Sequence, residues 1–231
     1  MSAREGREGP TTDALLSWSG GKDSALALRE VALGREHSVR ALLTTVTSEF
    51  DRISMHGIRR SLLHAQASSL GLPLVEVWVP PNSSNETYEA RMRAVLTGYK
   101  TRGVDHVAFG DLFLQDVRSY REDGLSQMGM KGLFPLWGRA TEKLAREFIE
   151  LGFRAVVCCV DPNKLPGEFC GREYDAAFLD SIPPTVDPCG ENGEFHTFVY
   201  DGPVFRSEIP MAKGSVVLRD GFYFADLMAR G

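Results

Sequence analysis

Ala14-Leu15-Leu16-Ser17-Trp18-Ser19-Gly20-Gly21-Lys22-Asp23-Ser24-Ala25-Leu26-Ala27-Leu28-Arg29-Glu30 is the stretch that decides how this chain is read. A short apolar run, Ala14 to Leu16, enters a polar glycine turn, and the turn enters a helix-like run from Ala25. Strand, glycine turn and helix together present bare backbone N–H groups at a helix N-terminus, where about half a positive charge favours phosphate. Gly20 and Gly21 let the backbone approach an anion with no Cβ in the way. Ser19 and Ser24 offer hydroxyl donors and Lys22 a point charge. The expectation is a nucleotide-phosphate site made by Ser17, Ser19, Gly20, Gly21, Lys22, Asp23 and Ser24.

The turn is not a Walker A loop, which needs Gly, four residues, then Gly-Lys-Ser/Thr. Here Leu16 stands five before Gly21, and Asp23 follows Lys22. It is not a G-x-G-x-x-G turn either. Ser-Gly-Gly-Lys-Asp-Ser, Ser19 to Ser24, resembles the PP-loop of the N-type ATP pyrophosphatases, which cleave ATP between its α- and β-phosphates. The bland alternative is a glycine turn before an ordinary helix.

Composition narrows the class. The chain has 231 residues, 43% hydrophobic and 25% charged, with a net charge of −5. That is room for one large domain, or a medium one plus a small one. The acidic balance leaves no basic footprint for nucleic acid or an anionic membrane. No apolar run approaches the roughly 20 residues of a bilayer span. Residues 1–12 are polar and lack the apolar core of a signal peptide, so they are expected to be a disordered tail. The four cysteines, Cys158, Cys159, Cys170 and Cys189, form no C-x-x-C pair. Reduced thiols in a cytoplasm follow.

Short, nearly continuous apolar runs at Ala14–Trp18, Val39–Val46, Leu72–Val79 and Val104–Phe109 predict strands of a parallel sheet covered on both faces. A fifth strand is expected over Gly132–Trp137. Between them lie helical stripes, such as Tyr88, Met92, Val95, Leu96 and Tyr99. Glycines at 34, 71, 103 and 152 read as left-handed helix caps. This rhythm predicts right-handed βαβ units in a doubly wound α/β fold. Helix Thr141–Leu151, capped by Thr141, begins a smaller α+β unit. There, Val216–Arg219, Asp220-Gly221 and Phe222–Phe224 predict a tight hairpin. The expected organisation is a nucleotide domain over 13–138 and a substrate-binding domain over 139–231.

Four blocks then carry a family likeness: Ser19–Ser24, Gly110-Asp111, Pro135-Leu136-Trp137, and Gly190-Glu191-Asn192-Gly193-Glu194-Phe195-His196-Thr197. In that order they resemble the diphthine–ammonia ligase family, a branch of the PP-loop enzymes. The resemblance implies a HUP-type doubly wound parallel five-stranded sheet, with ATP at the C-terminal ends of the strands. It also implies a carboxylate adenylated by ATP and then amidated by ammonia, with AMP and pyrophosphate released. In archaea and eukaryotes that carboxylate belongs to diphthine on translation elongation factor 2; elsewhere a small-molecule acid would take its place. The oligomeric state is not readable, and a homodimer is one option.

Roles follow from chemistry. Lys22 and the turn stabilise charge building on the phosphates. Asp23 and Asp111 are candidates to orient Mg²⁺ on the pyrophosphate; Asp23 reads equally as a first-turn carboxylate favoured by the helix dipole, and Asp111 as a turn cap. Adenine is expected near Leu43 and Thr44, at the sheet edge where open α/β folds bind ligands, with His56 over the base or simply solvated. Gly110 lies on that same edge. Arg118 and Arg121 either clamp phosphate or form a solvated basic face. Through the resemblance, Glu191, Asn192, Glu194 and His196 are candidates for orienting ammonia or a substrate imidazole, with Glu194 or His196 taking a proton from ammonium or the tetrahedral intermediate; taken alone, the block reads as a polar loop with glycine turns feeding a strand. Two other readings remain open: a PP-loop tRNA-thiolating enzyme carrying persulfide on Cys170 or Cys189, and a non-catalytic ATP-binding HUP module.

Overall fold

The computed structural model describes residues 11–47, 52–53, 57–81 and 83–230. His56 and the first ten residues of the expected tail lie outside the described residues. In chain order the elements are β1 (Thr12–Ser17), α1 (Lys22–Gly34), β2 (His37–Thr47), β3 (Arg52–Ile53), α2 (Arg60–Leu70), β4 (Leu74–Val79), α3 (Asn85–Lys100), β5 (His106–Ala108), α4 (Gln115–Ser126) and β6 (Lys131–Leu133). They are followed by α5 (Thr141–Glu150), β7 (Arg154–Val160), α6 (Ala176–Ser181), β8 (Phe195–Asp201), β9 (Met211–Arg219) and β10 (Phe222–Ala229).

Five strands run parallel in the order β4-β2-β1-β5-β6, with β3 added antiparallel at the end of β2. This is the doubly wound sheet expected. Side chains alternate across a strand, and the two faces of β1 and β2 feed different cores. Leu15, Ala41 and Leu43 pack with Val107, Leu96 and Leu125. Leu16 and Leu42 pack with Ala25, Leu26 and Leu62. The second core does not stop at the sheet: it runs on through Phe148, Val157, Phe178 and Phe198 of the C-terminal unit. That unit is an antiparallel sheet in the order β8-β7-β10-β9.

Local chemistry explains the details. Asp220 (φ 51°) and Gly221 (φ 82°) make the tight hairpin turn between β9 and β10, as a type I′ turn requires. Gly71 (φ 68°) caps α2 in the left-handed region. Three local expectations fail. Arg35 (φ 56°), not Gly34, is the left-handed cap of α1. Thr141 is the first residue of α5, whose cap position falls to Ala140 with no side-chain hydrogen bond. Strand β6 stops at Leu133, because the chain turns at Pro135, which has no N–H to give a ladder; the Trp137 amide donates to the Phe134 carbonyl at 3.1 Å and the Gly138 amide to the Leu112 carbonyl at 2.8 Å.

Candidate active site

Strand β1 ends at Ser17, and the Trp18 amide donates to the Leu43 carbonyl at 2.8 Å, so the chain leaves the sheet at the C-terminal end of β1 and β2. Gly20 then takes φ 78°, a conformation open to glycine. Gly21 precedes the first helical residue and makes no side-chain cap, so the first-turn amides of α1 point out of the helix end. Ser24 Oγ donates back to the Gly21 carbonyl at 2.9 Å and lies 3.3 Å from Ser19 Oγ. Gly110, just past β5, abuts this turn: a Cβ there would lie 2.8 Å from the Asp23 carbonyl carbon and 3.0 Å from the Ser24 amide nitrogen.

Lys22 is only 3% exposed, and a buried charge needs partners. Its ammonium pairs with Asp23 at 2.8 Å, donates to the Cys189 carbonyl, and sits over the rings of Phe195 and Tyr174 at 5.6 and 5.8 Å. Burial opposes its charge, but Asp23, Cys189 and Glu191 outweigh this and raise its pKa. The loop carrying Cys189 thus closes onto the glycine turn from the second sheet. Glu191 closes it on the other side, its Oε1 accepting from the Leu112 amide at 2.8 Å. Burial pushes the Glu191 carboxyl up to about 7, with Asp23 and Asp111 adding to the effect.

The rest of the acidic block has other work. Glu194 is buried; its Oε1 accepts from the Asp187 amide at 3.0 Å and from Asn192 Nδ2 at 3.2 Å, while Oε2 has no partner among the described residues. Its carboxylate is thus turned into its own loop. The Asn192 carbonyl accepts from Lys164 at 2.7 Å. His196 lies on β8 opposite Cys159; burial, with Lys22 and Lys164, pulls it down to about 4, so it is neutral at pH 7.

Asp111 is tied to Arg121, at 2.8 Å from Nε and 3.2 Å from Nη2, and Arg121 stacks on Phe109. Arg118 packs against Phe134 and Trp137, 4.6 Å from each ring centre. Asp23 Oδ1 has no hydrogen-bond partner among the described residues, and neither has the buried Thr44 Oγ1 in β2. No group of three or more His, Cys, Asp or Glu among the described residues forms a metal cage. Were a Mg²⁺ to accompany an anion here, Asp23 Oδ1, unpartnered among the described residues and at the helix start, would be the oxygen to hold it. All four cysteines are buried and free, and no described helix is long and apolar enough to cross a membrane.

Two residues of the site had no role assigned from the sequence, Gln66 and Thr197 (the last residue of the Gly190–Thr197 block), both buried against the glycine turn. A signal for Gln66 was available: it falls four residues after Leu62, on the apolar stripe of α2.

A glycine turn between a parallel strand and an open helix end, closed over by an acidic loop from a second sheet, is the arrangement of an α/β fold with a carboxylate beside a helix N-terminus. The diphthamide synthase N-terminal domain model matches residues 12–132, and the C-terminal domain model matches residues 140–225. The chain belongs to the diphthamide synthase family. It is 26% identical over 220 residues to a diphthine–ammonia ligase of Schizosaccharomyces pombe, covering 86% of this chain and 36% of that protein. It is 25% identical over 230 residues to the Rattus norvegicus diphthine–ammonia ligase, covering 90% and 85%. The Homo sapiens enzyme of that name is 24% identical over 228 residues, also covering 90% and 85%. These relatives are named as ligases that join ammonia to diphthine.

Proposed function

We propose that this enzyme adenylates a carboxylate with ATP and transfers ammonia to it, releasing pyrophosphate and AMP. The observation that carries the reading is the closure of the Cys189–Glu191 loop onto Lys22 and Leu112. It puts a carboxylate of raised pKa beside the helix end that would hold the phosphates. A carboxylate is a poor electrophile, because oxide would have to leave. Its oxygen attacks the α-phosphorus, pyrophosphate departs, and the mixed anhydride that results has AMP as a good leaving group. Ser17, Ser19, Gly20, Gly21, Lys22 and Ser24 surround the phosphates, and Lys22 with the first-turn amides of α1 stabilises the growing charge. A Mg²⁺ accompanying the nucleotide would be held by Asp23 and would neutralise charge on the pyrophosphate; Asp111 is paired with Arg121 instead. Adenine lies over Leu43 and Thr44, at the C-terminal sheet edge, where Gly110 lets α1 pack closely; His56 follows that strand in the sequence.

Ammonia then attacks the acyl carbon, AMP leaves, and the nitrogen must shed a proton. Glu191 is the acceptor we assign, because its pKa lies near neutrality. Glu194 and Asn192 shape the loop that carries it, and His196, on the strand that follows, stays neutral. The name the relatives carry supports diphthine as acceptor; the family likeness adds elongation factor 2 as its bearer, with a small-molecule acid as the alternative where diphthine is absent. The tRNA-thiolating reading has little support: Cys170 is buried with its thiol pushed up to about 11, and burial raises Cys189 further, whereas sulfur carriage needs a thiolate. The buried, reduced thiols fit a cytoplasmic enzyme.

The test is release of pyrophosphate and AMP from ATP with ammonium and a panel of carboxylates, diphthine-bearing elongation factor 2 among them. Equimolar AMP and pyrophosphate that depend on the carboxylate are expected. ATP bound but never cleaved with any acid would leave a nucleotide-binding module and sink the ligase.

A further inference from the structure

Two buried polar side chains outside the roles assigned above hold the backbone of the glycine turn. Gln66 on α2 is fully buried. Its Oε1 accepts from Trp18 Nε1 at 2.9 Å, and its Nε2 donates to the Gly20 carbonyl at 3.0 Å and to the Val199 carbonyl at 2.6 Å. Both N–H groups of the amide are used, and a carboxylate in that place could supply neither. Thr197 on β8 is 3% exposed, and its Oγ1 accepts from the Lys22 amide at 3.1 Å. Between these contacts the Val199 amide donates to the Gly20 carbonyl at 2.9 Å. The fit leaves no slack: a Cβ on Gly20 would lie 2.8 Å from Gln66 Oε1, and one on Gly21 would lie 3.0 Å from the Thr197 carbonyl.

The peptide planes of Gly20, Gly21 and Lys22 are therefore oriented by a helix and by a strand of the other sheet, not by the turn alone. Those planes decide where the next amides of α1 aim. We infer that Gln66 and Thr197 are positioning residues for ATP, setting the turn so that its free amides meet the phosphates, and that β8 completes the nucleotide site. The inference rests on the reading that ATP phosphates occupy this turn.

Calorimetric titration of the full chain with Mg·ATP tests it, alongside adenosine binding followed by ligand-observed NMR. Adenosine carries the base and sugar but no phosphate. Thr197→Val, which keeps the branched shape and removes the acceptor, and Gln66→Glu, which keeps the shape and removes both donors, should each weaken ATP binding about tenfold or more. Adenosine binding should stay within about twofold. Thr197→Ser should recover most of the ATP affinity, because its hydroxyl can still accept. ATP binding within about threefold of the parent in both variants would overturn the inference, as would equal losses for ATP and adenosine. Lys22→Ala separates the two levels. Should it lose ATP while Thr197→Val does not, only the positioning role falls; should it bind ATP undiminished, the phosphate reading of the turn falls with it. If Thr197→Val does not fold, Gln66→Glu and Thr197→Ser carry the comparison.

Discussion

Replacing Gly110 by alanine should damage this enzyme through its backbone. The added Cβ would lie 2.8 Å from the carbonyl carbon of Asp23, 2.9 Å from its oxygen and 3.0 Å from the Ser24 nitrogen. All three are main-chain atoms of the first turn of α1, so no flexible side chain can swing away. Relief to ordinary contact needs a shift of about half an ångström between the end of β5 and the helix start, and forced packing of this kind costs about 1–3 kcal/mol. For a chain of this length that is a fall in Tm of roughly 2–4 °C per kcal/mol. The same shift moves the amides that face the phosphates, so ATP affinity should drop about tenfold. Differential scanning fluorimetry with and without Mg·ATP reads both effects. Gly98→Ala in α3 and Gly124→Ala in α4 are the controls: nothing lies within 4 Å of either added Cβ, and each should stabilise by about 0.4–1 kcal/mol. A Gly110→Ala protein that melts and binds ATP like the parent would refute the close approach of Gly110 to α1 and the part given to that helix end.

Lys22→Ala should lower ATP turnover about a hundredfold or more, as loss of a preorganised charge donor does; initial rates of pyrophosphate release measure it. Glu191 must be ionised to accept a proton, and its pKa is raised to about 7, so at a constant concentration of free ammonia amide formation should rise with pH through about 7 and level off above. In Glu191→Gln that limb should vanish along with most of the rate; a surviving limb would reassign the base. Cys170→Ser and Cys189→Ser should keep ligase activity within a few-fold, since both thiols are buried; sulfur transfer abolished by either change would revive the thiolation reading. Calorimetric unfolding should give one transition, because one apolar cluster spans both sheets; two resolved peaks would contradict that continuity.

The parallel sheet was legible because each of its signals is local. Apolar runs, glycine caps and the Ser19–Ser24 turn state their structure within a few residues, and so does the Asp220-Gly221 hairpin. Long-range closure was not legible. Nothing in the spacing says that Thr197 meets the amide of Lys22, 175 residues away, or that Gln66 bridges Gly20 and Val199. The acidic block was recognised as a unit, yet its members could not be told apart. Glu191 and Glu194 are the same residue type three positions apart, and only the fold turns one toward Leu112 and the other into its own loop. Thr141 failed as a cap because a good capping residue does not fix where the preceding turn ends.

The packing that runs from Leu16 and Leu62 through Val157 and Phe198 carries a consequence for how such an enzyme can change over generations. Its two halves cannot be exchanged like beads on a string. A foreign partner for either half must arrive with a matching apolar face and a strand able to grip the glycine turn. New acceptor acids should therefore be acquired by altering rim side chains and loops, while the buried seam stays as it is.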